Sequence, residues 1–174
     1  MFLKGFKEKS NRKYLNAILT SRQIEVSDTK IESLGIIFCI DEMDDFEIFR
    51  ALALSINVRP NKLKVIAYTS NIKDAPNSWD TYFHPKDFGW SGKIKNIELQ
   101  SFLETKFDAL ISYYSEDILE LKLLTAASKA KFKIGTLQTD KRLNDLIIKT
   151  SLKQFNVFKK ELIKYLQILN KIKK

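Results

Sequence analysis

One cysteine, one histidine, three prolines and five glycines are spread thinly over 174 residues, and each scarcity closes off a line of chemistry. Cys39 stands alone inside the apolar run Gly35-Ile36-Ile37-Phe38-Cys39-Ile40. That excludes an intramolecular disulfide and reads as a buried thiol. A single histidine and a single cysteine make no zinc cluster, and no G-x-S-x-G elbow marks a hydrolase nucleophile. The glycines never fall into G-x-G-x-x-G or G-x-x-x-x-G-K-[ST], so the dinucleotide fingerprint and the phosphate loop are both missing. Apolar runs stop far short of the ~20 residues that span a bilayer. The basic start, Met1 to Lys13, has no apolar signal core. The expectation is a cytoplasmic chain with no transmembrane segment and no cofactor.

What is present is a globular composition, 44% hydrophobic and 29% charged, of a length that suits one domain. Net charge is +9, and its placement matters more than its size. Met1 to Lys30 holds seven basic and three acidic residues, and Lys149 to Lys174 holds eight basic and one acidic, so the centre is slightly acidic. Positive charge belongs to two terminal arms, residues 1–26 and 151–174.

Between the arms the pattern alternates between β-type and helical. Phe107 to Tyr114, the helix-like Asp117 to Ala127 and Phe132 to Leu137 follow one another within the span of a βαβ unit, which implies a right-handed parallel crossover. Ser33 to Ile40 and Leu63 to Thr69 frame a second unit around a helix that Pro60 stops. Residues 72–93 break the pattern with Pro76, Pro85, Gly89 and Gly92, and concentrate Trp79, Tyr82, Phe83, Phe88 and Trp90. A short helix is expected from about Asn96 to Leu103, and Asp145 to Thr150 reads equally as a short strand or as helix. Tyr14, Leu15, Ile18 and Leu19 stripe the amino-terminal helix. Phe155, Phe158, Leu162, Tyr165, Leu169 and Ile172 stripe a long carboxy-terminal one. The fold class is therefore α/β: one Rossmann-like, three-layer domain with four to five mainly parallel strands, a basic amino-terminal helix and a long amphipathic carboxy-terminal helix.

Three places could carry function. In open α/β sheets ligands bind outside the carboxyl ends of the strands. There Asp41, Asp44, Ser70, Tyr114 and Asp140 form a candidate cleft, with His84 as a titratable group and Trp79 to Trp90 as a lid. Acids after the first strand suit Mg²⁺ or, more simply, cap the next helix through Asp44 or Asp45. Ser115 is suited to cap the helix after Tyr114, and acids at that turn disfavour a phosphate. The second place is the pair of basic arms, where Lys7, Arg12, Lys13, Lys159, Lys160 and Lys164 could neutralise phosphates of RNA or another polyanion, or lie on an anionic membrane. The third is the stripe over 155–172, which could pair helices in a homo-oligomer.

The segments Lys30 to Gly35, Asn77 to Asp80, Pro85 to Trp90 and Phe107 to Tyr114 together resemble an uncharacterised domain family of Bacteroidota bacteria, a domain of unknown function. The resemblance covers nearly the whole chain. It implies one cytoplasmic domain and supplies no activity or site. The leading expectation is a non-catalytic module that engages RNA or a ribonucleoprotein through its basic helices. The alternatives are a small-ligand binder or enzyme with a strand-end cleft, and an oligomeric structural protein.

Overall fold

The computed structural model describes every residue except 1, 26, 76–79, 138 and 174, with only the backbone of Asp74. In chain order the elements are α1 (Phe2–Ser21), β1 (Leu34–Cys39), α2 (Glu47–Ser55), β2 (Leu63–Tyr68), β3 (Thr81–Phe83) and α3 (Ile97–Glu104). They continue with β4 (Ala109–Tyr113), α4 (Leu119–Ala127), β5 (Phe132–Gly135), β6 (Leu146–Ile147) and α5 (Phe155–Ile168). The strands form one sheet in the order β3-β2-β1-β4-β5-β6, and every pairing is parallel. This is the doubly wound Rossmann order, whose switch point lies between β1 and β4.

The central strands are continuous apolar runs because both of their faces are covered. β1 and β4 are buried at every position. Side chains alternate between two layers. Leu34, Ile36 and Phe38 meet Phe49 and Leu52 of α2 and Phe158, Leu162 and Leu166 of α5. Ile37 and Cys39 meet Leu15 and Leu19 of α1, Leu99 and Phe102 of α3, and Leu121 and Leu124 of α4. Edge-on contacts join Phe49, Tyr113, Phe155 and Phe158 into one aromatic wall on the α2/α5 side. On the opposite side Gly35 lets the Phe107 ring approach so closely that a Cβ there would sit 2.8 Å from it.

The expected strand count is corrected. The sheet has six strands, since β3 arises inside the aromatic segment and Leu146–Ile147 is a strand. Both are edge strands of two or three residues, too short to show alternation. The carboxy-terminal stripe is also divided: Phe158, Leu162 and Leu166 are spent on this chain's own sheet, while Tyr165, Ile168 and Leu169 stay exposed. The part that would pair with another helix is therefore narrower than the periodicity suggests.

Candidate functional site

At the carboxyl ends of the strands most of the acids singled out are held by donors of the chain itself. Asp41 accepts the Ser70 N–H at 2.9 Å and the Thr69 hydroxyl at 3.4 Å, so two expected cleft residues do meet. Glu42 reaches across the switch point from β1 to β4, accepting the Ser115 N–H at 3.0 and 3.1 Å and the Ser115 hydroxyl as well. Ser115 therefore serves Glu42 and does not cap α4. That helix starts at Leu119, and its N-cap residue Ile118 makes no side-chain bond. Asp45 caps α2 by accepting the N–H groups of Glu47 and Ile48. Asp44 is exposed.

The other expected members of the cleft point elsewhere. Tyr114 is fully buried, with its hydroxyl 2.7 Å from Thr125 Oγ1 beneath α4. Burial pushes that hydroxyl well above its ordinary pKa. Asp140 pairs with the Arg142 guanidinium at 2.8 Å, which holds its carboxyl below the usual range. Arg142 in turn donates to Asn16 and Thr20 of α1, so the pair tethers the β5–β6 connection to that helix. Tyr114 therefore does not face Asp41 and Ser70: Asp41 and Asp140 are engaged by chain donors, Asp44 is exposed, and the tyrosine faces the interior. Among the described residues no group of three His, Cys, Asp or Glu side chains gathers to hold a metal ion.

The aromatic segment is pinned to the body. Phe83 and Phe88 are core residues, and Trp90 is half-exposed. The His84 N–H donates to Asp87 at 2.9 Å, which closes a local turn. Asn11 of α1, itself buried, donates to the Gly89 carbonyl at 3.0 Å and accepts the Gly92 N–H at 2.9 Å. Gly92 has φ +71°, and a Cβ there would fall 1.9 Å from the Tyr14 ring, so only glycine fits. The Trp79 end of the expected lid lies outside the described residues.

The basic arms do not form one surface. α1 packs with α3 and α4 on one face of the sheet, and α5 packs with α2 on the other. Lys7 donates to the Pro85 carbonyl at 3.5 Å, Arg12 pairs with Glu8 at 2.8 Å, and Lys13 is exposed. Lys164 pairs with Glu161 at 3.2 Å, Lys160 is exposed and Lys159 is half-buried. The helix that carries Lys7, Arg12 and Lys13 thus lies on the opposite face of the sheet from the helix that carries Lys159, Lys160 and Lys164.

The structure instead assembles a basic cleft of about 590 Å³ at the opposite, amino-terminal edge of the sheet. It is built by two helix endings of the same kind. In α2 the Val58 N–H returns to the Ala53 carbonyl and the Asn57 N–H to Leu54. In α5 the Lys171 N–H returns to Leu166 and the Asn170 N–H to Gln167. Asn57 and Asn170 take φ +63° and +57°, the left-handed residue of a Schellman ending. Each ending turns the following residues into the cleft: Arg59 and Lys62 from one side, Lys171 and Lys173 from the other, with Lys30 and Glu32 from the segment before β1. The Ile31 N–H locks that segment to the Lys171 carbonyl at 2.9 Å. Lys30 donates to the Asn170 carbonyl at 2.8 Å and Lys171 donates to the Ser27 carbonyl. Arg59, Lys62 and Lys173 have no ion-pair partner among the described residues. The two helix carboxyl ends offset about one positive charge in sum. Five cations against one carboxylate still leave the cleft positive.

Lys30, Arg59 and Lys62 were not singled out from the sequence, and Lys173 only as part of the basic carboxy-terminal arm, because they come from three segments far apart in the chain. The local signal was an asparagine closing each amphipathic helix with cations one to five residues later.

The doubly wound order, both faces covered by helices and a switch point bridged by Glu42 and Ser115 define the class, an α/β protein of Rossmann-like type. Within that class the chain belongs to a family of unknown function (DUF6913), whose model matches residues 7–169. No curated protein and no solved structure matches it. Among the described residues no helix is long and apolar enough to cross a membrane.

Proposed function

We propose that this chain is a non-catalytic module that binds a phosphate-bearing polyanion, RNA being the class. The seat is the amino-terminal-edge cleft, together with the basic α5 that runs into it. The observation that carries this reading is the convergence of Lys30, Arg59, Lys62, Lys171 and Lys173 around one cavity with a single acid, Glu32. Lysines outnumber the one arginine there, which suits contact with phosphates more than reading of bases. A binding role is also supported at the other edge, where Asp41, Glu42 and Asp140 are committed to donors of the chain itself.

The test is a fluorescence-anisotropy titration with a labelled single-stranded oligouridylate. Three or four phosphate contacts give a log–log salt slope of about −2 to −3. Arg59→Glu combined with Lys62→Glu weakens binding by about tenfold or more, while Lys7→Glu combined with Lys13→Glu changes it less than about twofold. Binding that ignores salt, or that falls equally with the α1 pair, overturns the proposal.

A further inference from the structure

α1 has two unlike halves. Its second half is built into the body through Asn11, Leu15 and Leu19, all buried. Its first two turns carry Phe2, Leu3 and Phe6, which are 86%, 74% and 60% exposed. A Cβ built on Gly5 would meet nothing within 4 Å, so that side of the helix is open, while Lys4 and Lys7 line a cavity with Leu119 and Glu120 at the start of α4. Its last tethers are the Lys7 bond to Pro85, the contact of the Ser10 hydroxyl with Ser91 and the clamp of Asn11 on Gly89.

Helical geometry sets the direction of the exposed group. At 3.6 residues per turn the mean direction of Phe2, Leu3 and Phe6 lies roughly 170° from that of Asn11, Leu15 and Leu19. The apolar group therefore faces away from the body. Phe2, Phe6, Lys9 and Lys13 follow one another at spacings of four, three and four, so one outward stripe changes from aromatic to basic along its length. Over the same stretch there are five cations, Lys4, Lys7, Lys9, Arg12 and Lys13, against one acid, Glu8.

We infer that the amino-terminal end of α1 docks on an anionic lipid surface. Phe2, Leu3 and Phe6 enter the boundary between headgroups and acyl chains, and Lys9 and Lys13 lie against lipid phosphates. An exposed apolar end with lysines beside it is the composition that interfacial helices use. Charge decides against a second copy of the chain as the occupant. Two such helices laid together would bring ten cations into one contact with only two carboxylates, whereas an anionic surface attracts each lysine. This site lies on the α1/α3/α4 face and does not depend on the cleft at the amino-terminal edge.

The test uses the full chain in co-sedimentation with vesicles of phosphatidylcholine alone and of phosphatidylcholine doped with phosphatidylglycerol. The expected result is binding to the doped vesicles only, weakening with salt. Phe2→Ser combined with Phe6→Ser keeps every charge and lowers partitioning by at least about tenfold. Lys9→Gln combined with Lys13→Gln keeps the apolar group and lowers it by a similar factor. All four side chains lie on the outward stripe, so thermal melting of both variants stays at the wild-type value, and Arg59→Glu combined with Lys62→Glu leaves vesicle binding unchanged. Equal binding to both vesicle types, or full binding by the phenylalanine variant, overturns the inference. Sedimentation showing a dimer that the phenylalanine variant abolishes would overturn it in favour of a protein contact. Loss of oligouridylate binding with the same variant would overturn it in favour of RNA.

Discussion

The two edges of the sheet use their charged residues in opposite ways. At the carboxyl edge, where the doubly wound fold ordinarily opens a crevice, Glu42 spans the switch point to Ser115, Asp41 holds Ser70, and Asp140 is paired with Arg142. At the amino edge, where the fold imposes no site, two Schellman endings deliver cations into a common cleft, and Arg59, Lys62 and Lys173 stay free of ion pairs among the described residues. The contrast teaches that a fold locates an opportunity for binding without filling it. Hydrogen-bond capacity already satisfied within the chain must be given up before a ligand can use it, whereas unpaired cations can meet an anion directly.

The largest expected effect comes from breaking the clamp that fixes the aromatic segment near the carboxyl edge. Gly92→Ala forces a left-handed backbone on a residue with a Cβ and drives that carbon into Tyr14, at a cost of about 2–4 kcal/mol in chemical denaturation. Adding Tyr14→Ala should recover the steric part of that loss and leave the backbone part.

Next is a cation inside the molecule. Lys133 is buried on β5 and donates to the Thr125 and Ala126 carbonyls, at 2.7 and 2.9 Å, where α4 ends. Burial pushes its pKa down to about 7, and the nearby Arg22 adds to the fall. The folded value lies below the unfolded value, so between about pH 7 and pH 10 the unfolded chain binds more protons and stability rises with pH, by up to about 1.4 kcal/mol per unit. Urea melts across that window should show the rise in the wild type and a flatter profile in Lys133→Met. A wild-type profile that falls with pH would show the ammonium to be stabilised at the end of α4.

The amino edge is sharpened by charge reversal. Arg59→Glu with Lys62→Glu should cost about 1.4 kcal/mol or more of oligouridylate binding, the equivalent of tenfold, with little change in melting because both side chains are exposed. The smallest effect is expected from Glu42→Gln, which retains one acceptor for Ser115 and loses the charge assistance. About 1 kcal/mol of stability, or less, is predicted in thermal or urea melts. A loss several times larger would show that this bridge holds the two halves of the sheet together.

Much of the architecture was legible because its signals are local. The run Phe107 to Tyr114, the helix after it and Phe132 to Gly135 became β4, α4 and β5. Asn96 caps α3 through the N–H groups of Glu98 and Leu99, close to the expected start. The short strands β3 and β6 were not legible, since two or three residues carry no period and are strands only because β2 and β5 offer them an edge. The strand-end cleft was placed at the right edge of the fold, and Asp41 did meet Ser70. It failed on Tyr114, which follows β4 and turns under α4, and on Asp140, which is paired with Arg142.

By itself the sequence determined the class of fold, because continuous apolar runs, helix periodicity and helix stops act within a few residues of one another. It also determined the scarcity of glycine at the turns after strands and the concentration of positive charge in two arms. Only the tertiary structure decided that those arms lie on opposite faces, that Asp41, Glu42 and Asp140 are matched to donors of the chain, and that Lys30, Arg59, Lys62, Lys171 and Lys173 share one cleft. Those outcomes depend on which layer each helix covers and where each strand ends, and residues distant in sequence acquire a common electrostatic field only once the sheet has brought them together.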